Sequence, residues 1–151
     1  MVITCSDTRT QETDTSGQLI RTLLEARGHT VVGYHLVKDD PAQIQLWIAR
    51  GAGTDAVQAI IINGGTGISR RDSTFEAVDE MLEKRLDGFG EIFRLLTYQD
   101  IGSPAIMSRA TAGVIKGRVL FSTPGSENAV RLAMEKLILP ELGHLVKELS
   151  K

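Results

Sequence analysis

Ala59–Ile60–Ile61–Ile62–Asn63–Gly64–Gly65–Thr66–Gly67 is the stretch on which the fold turns. It ends a predicted strand at 57–63. A short, continuous, β-branched apolar run of this kind reads as a strand buried on both faces, as in a parallel sheet. The run breaks at an asparagine and a glycine turn, so the strand delivers polar groups to the carboxyl edge of the sheet, where open α/β folds bind ligands. Three glycines in four positions remove Cβ atoms that would hold an anion away, and their successive N–H groups can form a nest for phosphate oxygens. Thr66 adds a hydroxyl donor. The spacing is neither G-x-x-x-x-G-K-[ST] nor G-x-G-x-x-G, and a bare GGTG also reads as a tight structural turn.

The sequence on either side supplies the rest of the sheet. Val2–Cys5 reads as a first strand. Residues 18–27 read as a helix with Leu19, Leu23 and Ala26 on one face and Gly28 as its stop. Residues 30–37 are β-branched and apolar, a second strand. Asp40–Pro41 predicts a helix start, with a capping carboxylate and proline at the first position, running through Ile44, Trp47 and Ile48 to Gly51. Ser73 or Thr74 caps a helix carrying Ala77, Val78, Met81 and Leu82, and helical patterns recur at 89–96 and near 104–112. Lys116–Gly117 sits between two short apolar runs as a hairpin turn. Pro124–Gly125–Ser126 precedes a last helix that Pro140 kinks or restarts. Alternating strands and helices predict a mainly parallel sheet covered on both faces, and the late hairpin makes it mixed.

Composition narrows the function classes. The 151 residues, 42% hydrophobic, predict a single domain over 1–151. A chain of this size buries about 68–70% of its unfolded surface, enough for a core without staples. Net charge is -2, from 17 basic and 19 acidic residues, which gives no electrostatic case for nucleic acid. Cys5 is the one cysteine, so no intrachain disulfide forms and a cytoplasmic location is expected. No apolar stretch approaches the roughly 18 residues of a membrane span, and the start lacks the basic and apolar regions of a signal peptide. The chain opens directly on a strand-like run, so a few residues are expected upstream of Met1. His29, His35 and His144 lack metal-ligand spacing.

Strand ends carry the remaining chemistry. Just past the glycine turn, Arg70–Arg71–Asp72 brings two cations for phosphate charge and a carboxylate that reads either as a cap or as a ligand for hydrated Mg2+. Lys38–Asp39–Asp40–Pro41 ends the second strand. Asp40 is taken as the cap, which leaves Asp39 for ligand or metal work. Ser6 follows the first strand, residues 14–16 read as a helix cap, and Pro124–Gly125–Ser126 opens a helix whose partial positive charge favours phosphate. Ser108–Arg109 falls on a predicted helix or turn, with Arg109 either an anion clamp or a surface residue.

Taken in order and spacing, Ser6–Asp7–Thr8–Arg9, Asp14–Thr15–Ser16–Gly17, Gly64–Gly65–Thr66–Gly67, Arg71–Asp72, Gly88–Phe89–Gly90–Glu91, Ser108–Arg109–Ala110 and Pro124–Gly125–Ser126 resemble the molybdenum cofactor biosynthesis MoaB/MogA family over nearly the whole chain. The DTSG segment and residues 93–112 are more similar to the MoaB branch. The resemblance implies a three-layer αβα molybdopterin-binding fold, assembled as homotrimers or homohexamers. It implies adenylylation of molybdopterin by ATP with Mg2+, releasing pyrophosphate. The family's two acidic positions carry over to Asp39 and Asp72, as catalytic residues and metal ligands. Its substrate contacts carry over to Ser6, Gly64, Gly65, Thr66, Gly67, Ser108, Pro124, Gly125 and Ser126. Lys38 stands where many members have proline. Some MoaB-branch members lack the acidic pair, so a non-catalytic molybdopterin-binding protein stays open beside the enzyme, as does a related-domain nucleotide hydrolase.

Overall fold

A computed structural model describes all residues, Met1–Lys151. The elements run β1 (Val2–Cys5), α1 (Thr15–Ala26), β2 (Tyr34–Val37), α2 (Pro41–Ala52), β3 (Ala59–Asn63), α3 (Thr74–Asp79), β4 (Lys84–Arg85), α4 (Asp87–Ile101), a 3-10 turn (Ser103–Met107), β5 (Thr111–Ile115), β6 (Arg118–Thr123), α5 (Glu127–Ala133), a π turn (Met134–Ile138) and α6 (Leu139–Leu149). The six strands form one sheet in the order β2-β1-β3-β6-β5-β4. β1, β2, β3 and β6 are mutually parallel, and β5 runs antiparallel to both its neighbours.

Alternation along the strands builds the three layers that the sequence predicts. Val2, Ile61, Val119 and Phe121 face a core closed by α1, α4, α5 and α6 through Ile20, Leu24, Phe93, Val130, Met134 and Leu142. Ile3, Ile60, Ile62 and Leu120 face the opposite core, closed by α2 and α3 through Ile44, Ile48, Ala77 and Val78. Ile60, Ile61 and Ile62 are essentially fully buried on alternate sides, each stabilising the fold by about 2 kcal/mol. The triple-isoleucine run is therefore central because it feeds both cores at once.

Several boundaries differ from those the sequence suggests. The second strand starts at Tyr34, not residue 30, because β1 begins at Val2 and Val2 already pairs with Tyr34. As the sheet's edge strand, β2 has no other neighbour to pair with. Asp40 is the residue before α2, yet its side chain makes no capping bond; its carbonyl receives the Ile44 N–H at 3.0 Å, and Pro41 starts the helix. Neither Ser73 nor Thr74 caps α3 through its side chain, and that helix ends at Asp79, before Met81 and Leu82. The predicted helix near 104–112 is a 3-10 turn followed by strand β5. Pro140 falls in the first turn of α6, and the π turn before it absorbs the hydrogen bond that proline cannot donate. No helix is long and apolar enough to cross a membrane.

Candidate functional site

The carboxyl ends of β1, β2, β3 and β6 lead into Ser6, Lys38–Asp39, the glycine turn and Pro124–Gly125–Ser126. β5 runs the other way, so its beginning lies at this same edge, where Thr111 pairs with Ser122. That reversal carries Ser108 and Arg109 to the edge as well. A cavity of about 610 Å³ opens there, lined by Ser6, Gly64, Gly65, Thr66, Gly67, Asp72, Ser108, Pro124, Gly125 and Ser126 among others. Of the residues carried over from the family resemblance, Asp39 alone is not in the wall; it lies beneath Gly65, bonded to the start of α3. The far wall comes from α4 and the 3-10 turn, through Phe93, Thr97, Asp100, Ile101, Pro104 and Met107. No sequence motif marked that wall, whose residues have ordinary helix spacing.

The glycines serve the turn differently from the sequence expectation. Gly64 and Gly65 have φ of +97° and +63°. A Cβ at Gly64 would lie 2.2 Å from the Cys5 carbonyl oxygen, one at Gly65 would lie 2.1 Å from Thr74 Oγ1 and 2.7 Å from Asp39 Oδ2, and one at Gly67 would lie 2.6 Å from Asp72 Oδ2. The missing side chains thus let the turn pack down on β1 and on the two carboxylates. They leave the N–H groups of Gly65, Thr66, Gly67 and Ile68 without partners in the protein, while Gly64 N–H bonds the Thr123 carbonyl at 3.0 Å. Three of these four unpartnered donors belong to residues of the cavity wall, where they are open to an acceptor.

The neighbouring loop is held against it. Gly125 packs closely on Gly64, where an added Cβ would sit 3.0 Å from Gly64 Cα. The Gly125 carbonyl accepts from Arg9 Nη2 at 3.0 Å and Ser16 Oγ at 2.7 Å. Asp14 is wholly buried; it caps α1 through Gly17 N–H at 3.0 Å, pairs with Arg9 at 3.3 Å and receives the Tyr34 hydroxyl. Burial and then that bond push the Tyr34 phenol up to about 12. Arg9 is the only cation in the cavity wall. The sequence places Arg9 within the Ser6–Asp7–Thr8–Arg9 motif without giving it a role. Ser6 Oγ accepts from Arg9 N–H at 3.1 Å and Thr8 N–H at 3.3 Å, which leaves its own proton to donate.

The carboxylates are organised rather than free. Asp39 Oδ1 accepts from Ser73 N–H at 3.2 Å and Ser73 Oγ at 2.8 Å, and Asp39 N–H bonds Asp7 at 3.1 Å. Burial raises the Asp39 carboxyl above its ordinary value, and the charges of Asp72 and Asp7 add to the rise, while the Ser73 bonds oppose it. Asp72 Oδ2 accepts from Ser69 N–H at 2.9 Å. Lys38 turns back to the Asp7 carbonyl at 3.1 Å. Arg70 and Arg71 are exposed and outside the cavity wall. Arg109 is neither clamp nor free surface: it bonds the Thr66 and Gly67 carbonyls and pairs with Glu76, whose carboxyl it holds below the ordinary value.

Cys5 forms part of the cavity floor but is almost inaccessible. Burial pushes its thiol up to about 12, and the Asp39 charge adds to this. A thiol so protonated is a poor nucleophile. Iodoacetamide at pH 8 will leave native Cys5 unmodified and alkylate it in denaturant, as mass spectrometry will record. Rapid native alkylation would contradict the burial.

Known proteins resemble this chain closely in sequence and fold. Residues 1–144 match the family described as a probable molybdopterin binding domain. Molybdenum cofactor biosynthesis protein B of Halalkalibacterium halodurans is 57% identical over 152 aligned positions, covering 100% of this chain and 89% of that protein. A crystal structure of a molybdenum cofactor biosynthesis protein B superposes with a TM-score of 0.96 at 54% identity, covering 99% of this chain and 93% of that one. The tungsten cofactor synthesizing protein MoaB from Pyrococcus furiosus has a TM-score of 0.87 at 36% identity, covering 99% and 95% of the two chains.

Proposed function

This chain belongs to the molybdopterin-binding-domain family of molybdenum cofactor biosynthesis proteins, and we propose that it adenylylates molybdopterin with Mg-ATP and releases pyrophosphate. The observation that carries this reading is the run of free N–H donors at Gly65, Thr66, Gly67 and Ile68, set directly above Asp39 and beside Asp72. In the reaction, the terminal phosphate of molybdopterin attacks the α-phosphorus of ATP and pyrophosphate leaves, with no covalent enzyme intermediate. Two polyanions must meet, so aligning them and offsetting their charge is the main task. The glycine turn holds one phosphate group by its N–H donors. Ser6, Ser108 and the Pro124–Gly125–Ser126 loop position the other reactant, and Arg9 supplies the fixed positive charge of the wall.

Asp39 and Asp72 are the residues that would hold Mg2+. Asp39 Oδ2 and Asp72 Oδ1 accept no hydrogen bond from the protein, and the mutual repulsion of Asp39, Asp72 and Asp7 is what a divalent cation relieves. No group of three or more metal-ligating side chains is present. Mg2+ keeps several waters and takes further ligands from phosphate oxygens, so one or two carboxylates would serve it. Bound there, Mg2+ would offset phosphate charge in the transition state.

The test is purified protein with molybdopterin and Mg-ATP, following pyrophosphate and the adenylylated product. Molybdopterin binding without ATP-dependent pyrophosphate release would replace the enzyme by a non-catalytic binding protein. Nucleotide turnover without molybdopterin would replace it by a hydrolase.

The same proposal includes self-assembly as a homotrimer or homohexamer. Ile92, Leu95, Tyr98 and Ile101 of α4 are exposed together with Ile106 and Met107 of the following turn, an apolar surface of the sort that oligomers bury. Leu95→Glu places a charge in it. Light scattering will find the wild type at three or six chain masses and the variant shifted toward one; a monomeric wild type refutes the assembly.

A further inference from the structure

Arg109 has every edge of its guanidinium engaged. Nε donates to the Thr66 carbonyl at 3.1 Å, Nη2 donates to the Gly67 carbonyl, and Nη1 pairs with Glu76. The plane lies over the Phe75 ring, 5.0 Å from its centroid. Arg109 is not in the wall of the cavity that Thr66 and Gly67 line. With each of its three nitrogens bonded to the protein and no place in the cavity wall, its effect on the site passes through the turn.

That effect follows from peptide geometry. All peptide bonds here are trans, and in a planar trans peptide the N–H points opposite to the C=O. The Thr66 carbonyl shares its plane with the Gly67 N–H, and the Gly67 carbonyl with the Ile68 N–H. Drawing both carbonyls toward Arg109 therefore turns both N–H groups away from it. These N–H groups are two of the four that have no partner in the protein. A guanidinium is suited to this because its fork reaches two acceptors in one plane; lysine offers a point charge without that geometry. Glu76 and Phe75 fix the fork from α3.

We propose that Arg109 is a positioning residue that sets the direction of the Gly67 and Ile68 N–H donors and thereby makes the glycine turn competent to hold a phosphate. Its kinetic readout rests on the adenylylation reading above, and its structural readout does not.

The experiment compares wild type, Arg109→Lys and Arg109→Ala, each with and without added guanidinium chloride at non-denaturing concentration. Crystal structures of the variants are determined in parallel. In Arg109→Ala the 66–67 and 67–68 peptides are expected to rotate, and turnover to fall about tenfold, the scale of one charge-assisted hydrogen bond. Guanidinium, seated on Phe75 and Glu76, restores part of the turnover and ammonium does not. Arg109→Lys, which folds most conservatively, keeps one carbonyl and falls between. Wild-type turnover in Arg109→Ala, an unrotated turn, or a loss that guanidinium leaves untouched each overturns the proposal. If the wild type itself releases no pyrophosphate, the adenylylation reading fails, and the peptide orientation in the Arg109→Ala crystal still decides the role of Arg109.

Discussion

Asp72→Asn and Asp39→Asn are expected to lower pyrophosphate release by at least about 100-fold, the scale for removing one electrostatic group from a preorganised site, while molybdopterin still binds. The substitution is isosteric, and in both places the asparagine oxygen can keep accepting: from Ser69 N–H at position 72, and from Ser73 N–H and Oγ at position 39. What it removes is charge. The two variants part in stability. Burial raises the folded-state pKa of Asp39, so between the unfolded value and that raised value the native state binds more proton than the unfolded chain. Stability from this group is present at low pH and is lost as pH rises through that window. At neutral pH Asp39 therefore opposes folding of the metal-free protein, and Asp39→Asn should melt no lower than wild type without Mg2+. Added Mg2+ should raise the melting temperature of wild type and not of Asp39→Asn. Turnover near wild type in both variants would sink the assignment of these carboxylates. A melting temperature of Asp39→Asn clearly below wild type would show instead that the Ser73 bonds need the charge.

How much of this was legible in the sequence depends on what each residue responds to. The αβα layering follows from local period alone: Ile60, Ile61 and Ile62 announce a strand with two buried faces, and the structure gives them two cores. The meeting of Ser6, the glycine turn and Pro124–Gly125–Ser126 at one edge was legible too, because each follows a parallel strand. Ser108, which the resemblance names as a contact, and Arg109 could not be placed at this edge from strand order, since their place depends on β5 being antiparallel. β5 also contains Ala112–Gly113, which have weak strand preference. It is a strand because β6 pairs with it on one side and β4 approaches on the other, where a Cβ at Gly113 would lie 2.3 Å from the Lys84 carbonyl oxygen. Asp40 holds the position before α2 as the sequence indicates, but its side chain makes no cap bond. The glycines were recognised as important, but their direction was beyond sequence: a motif says where a Cβ is missing and not what it would have struck.

That direction makes Gly64 the glycine whose replacement is expected to cost most. At φ of +97° any L residue is strained, and its Cβ would meet the Cys5 carbonyl oxygen at 2.2 Å and the Cys5 carbonyl carbon at 3.2 Å. Both are backbone atoms at the end of β1, a strand paired with β2 and β3, so no side-chain rotation relieves the contact. Gly64 cannot simply retreat either, because Gly125 packs on its other face and its N–H is tied to Thr123. Gly64→Ala therefore combines backbone strain with overpacking, together about 3 kcal/mol or more, a fall in melting temperature of roughly 10 °C for a chain of this length. Gly28→Ala is the matched control. Its φ is +80°, with nothing within 4 Å of the added Cβ, so it carries the strain without the collision, about 1 kcal/mol. The gap between the two melting temperatures measures the collision itself. Equal losses would mean that β1 yields and that the turn is not seated on Cys5. A Gly64→Ala protein that folds but has lost phosphate binding would place the loss in the lifted turn, since the free N–H donors lie one to four residues further along the same backbone.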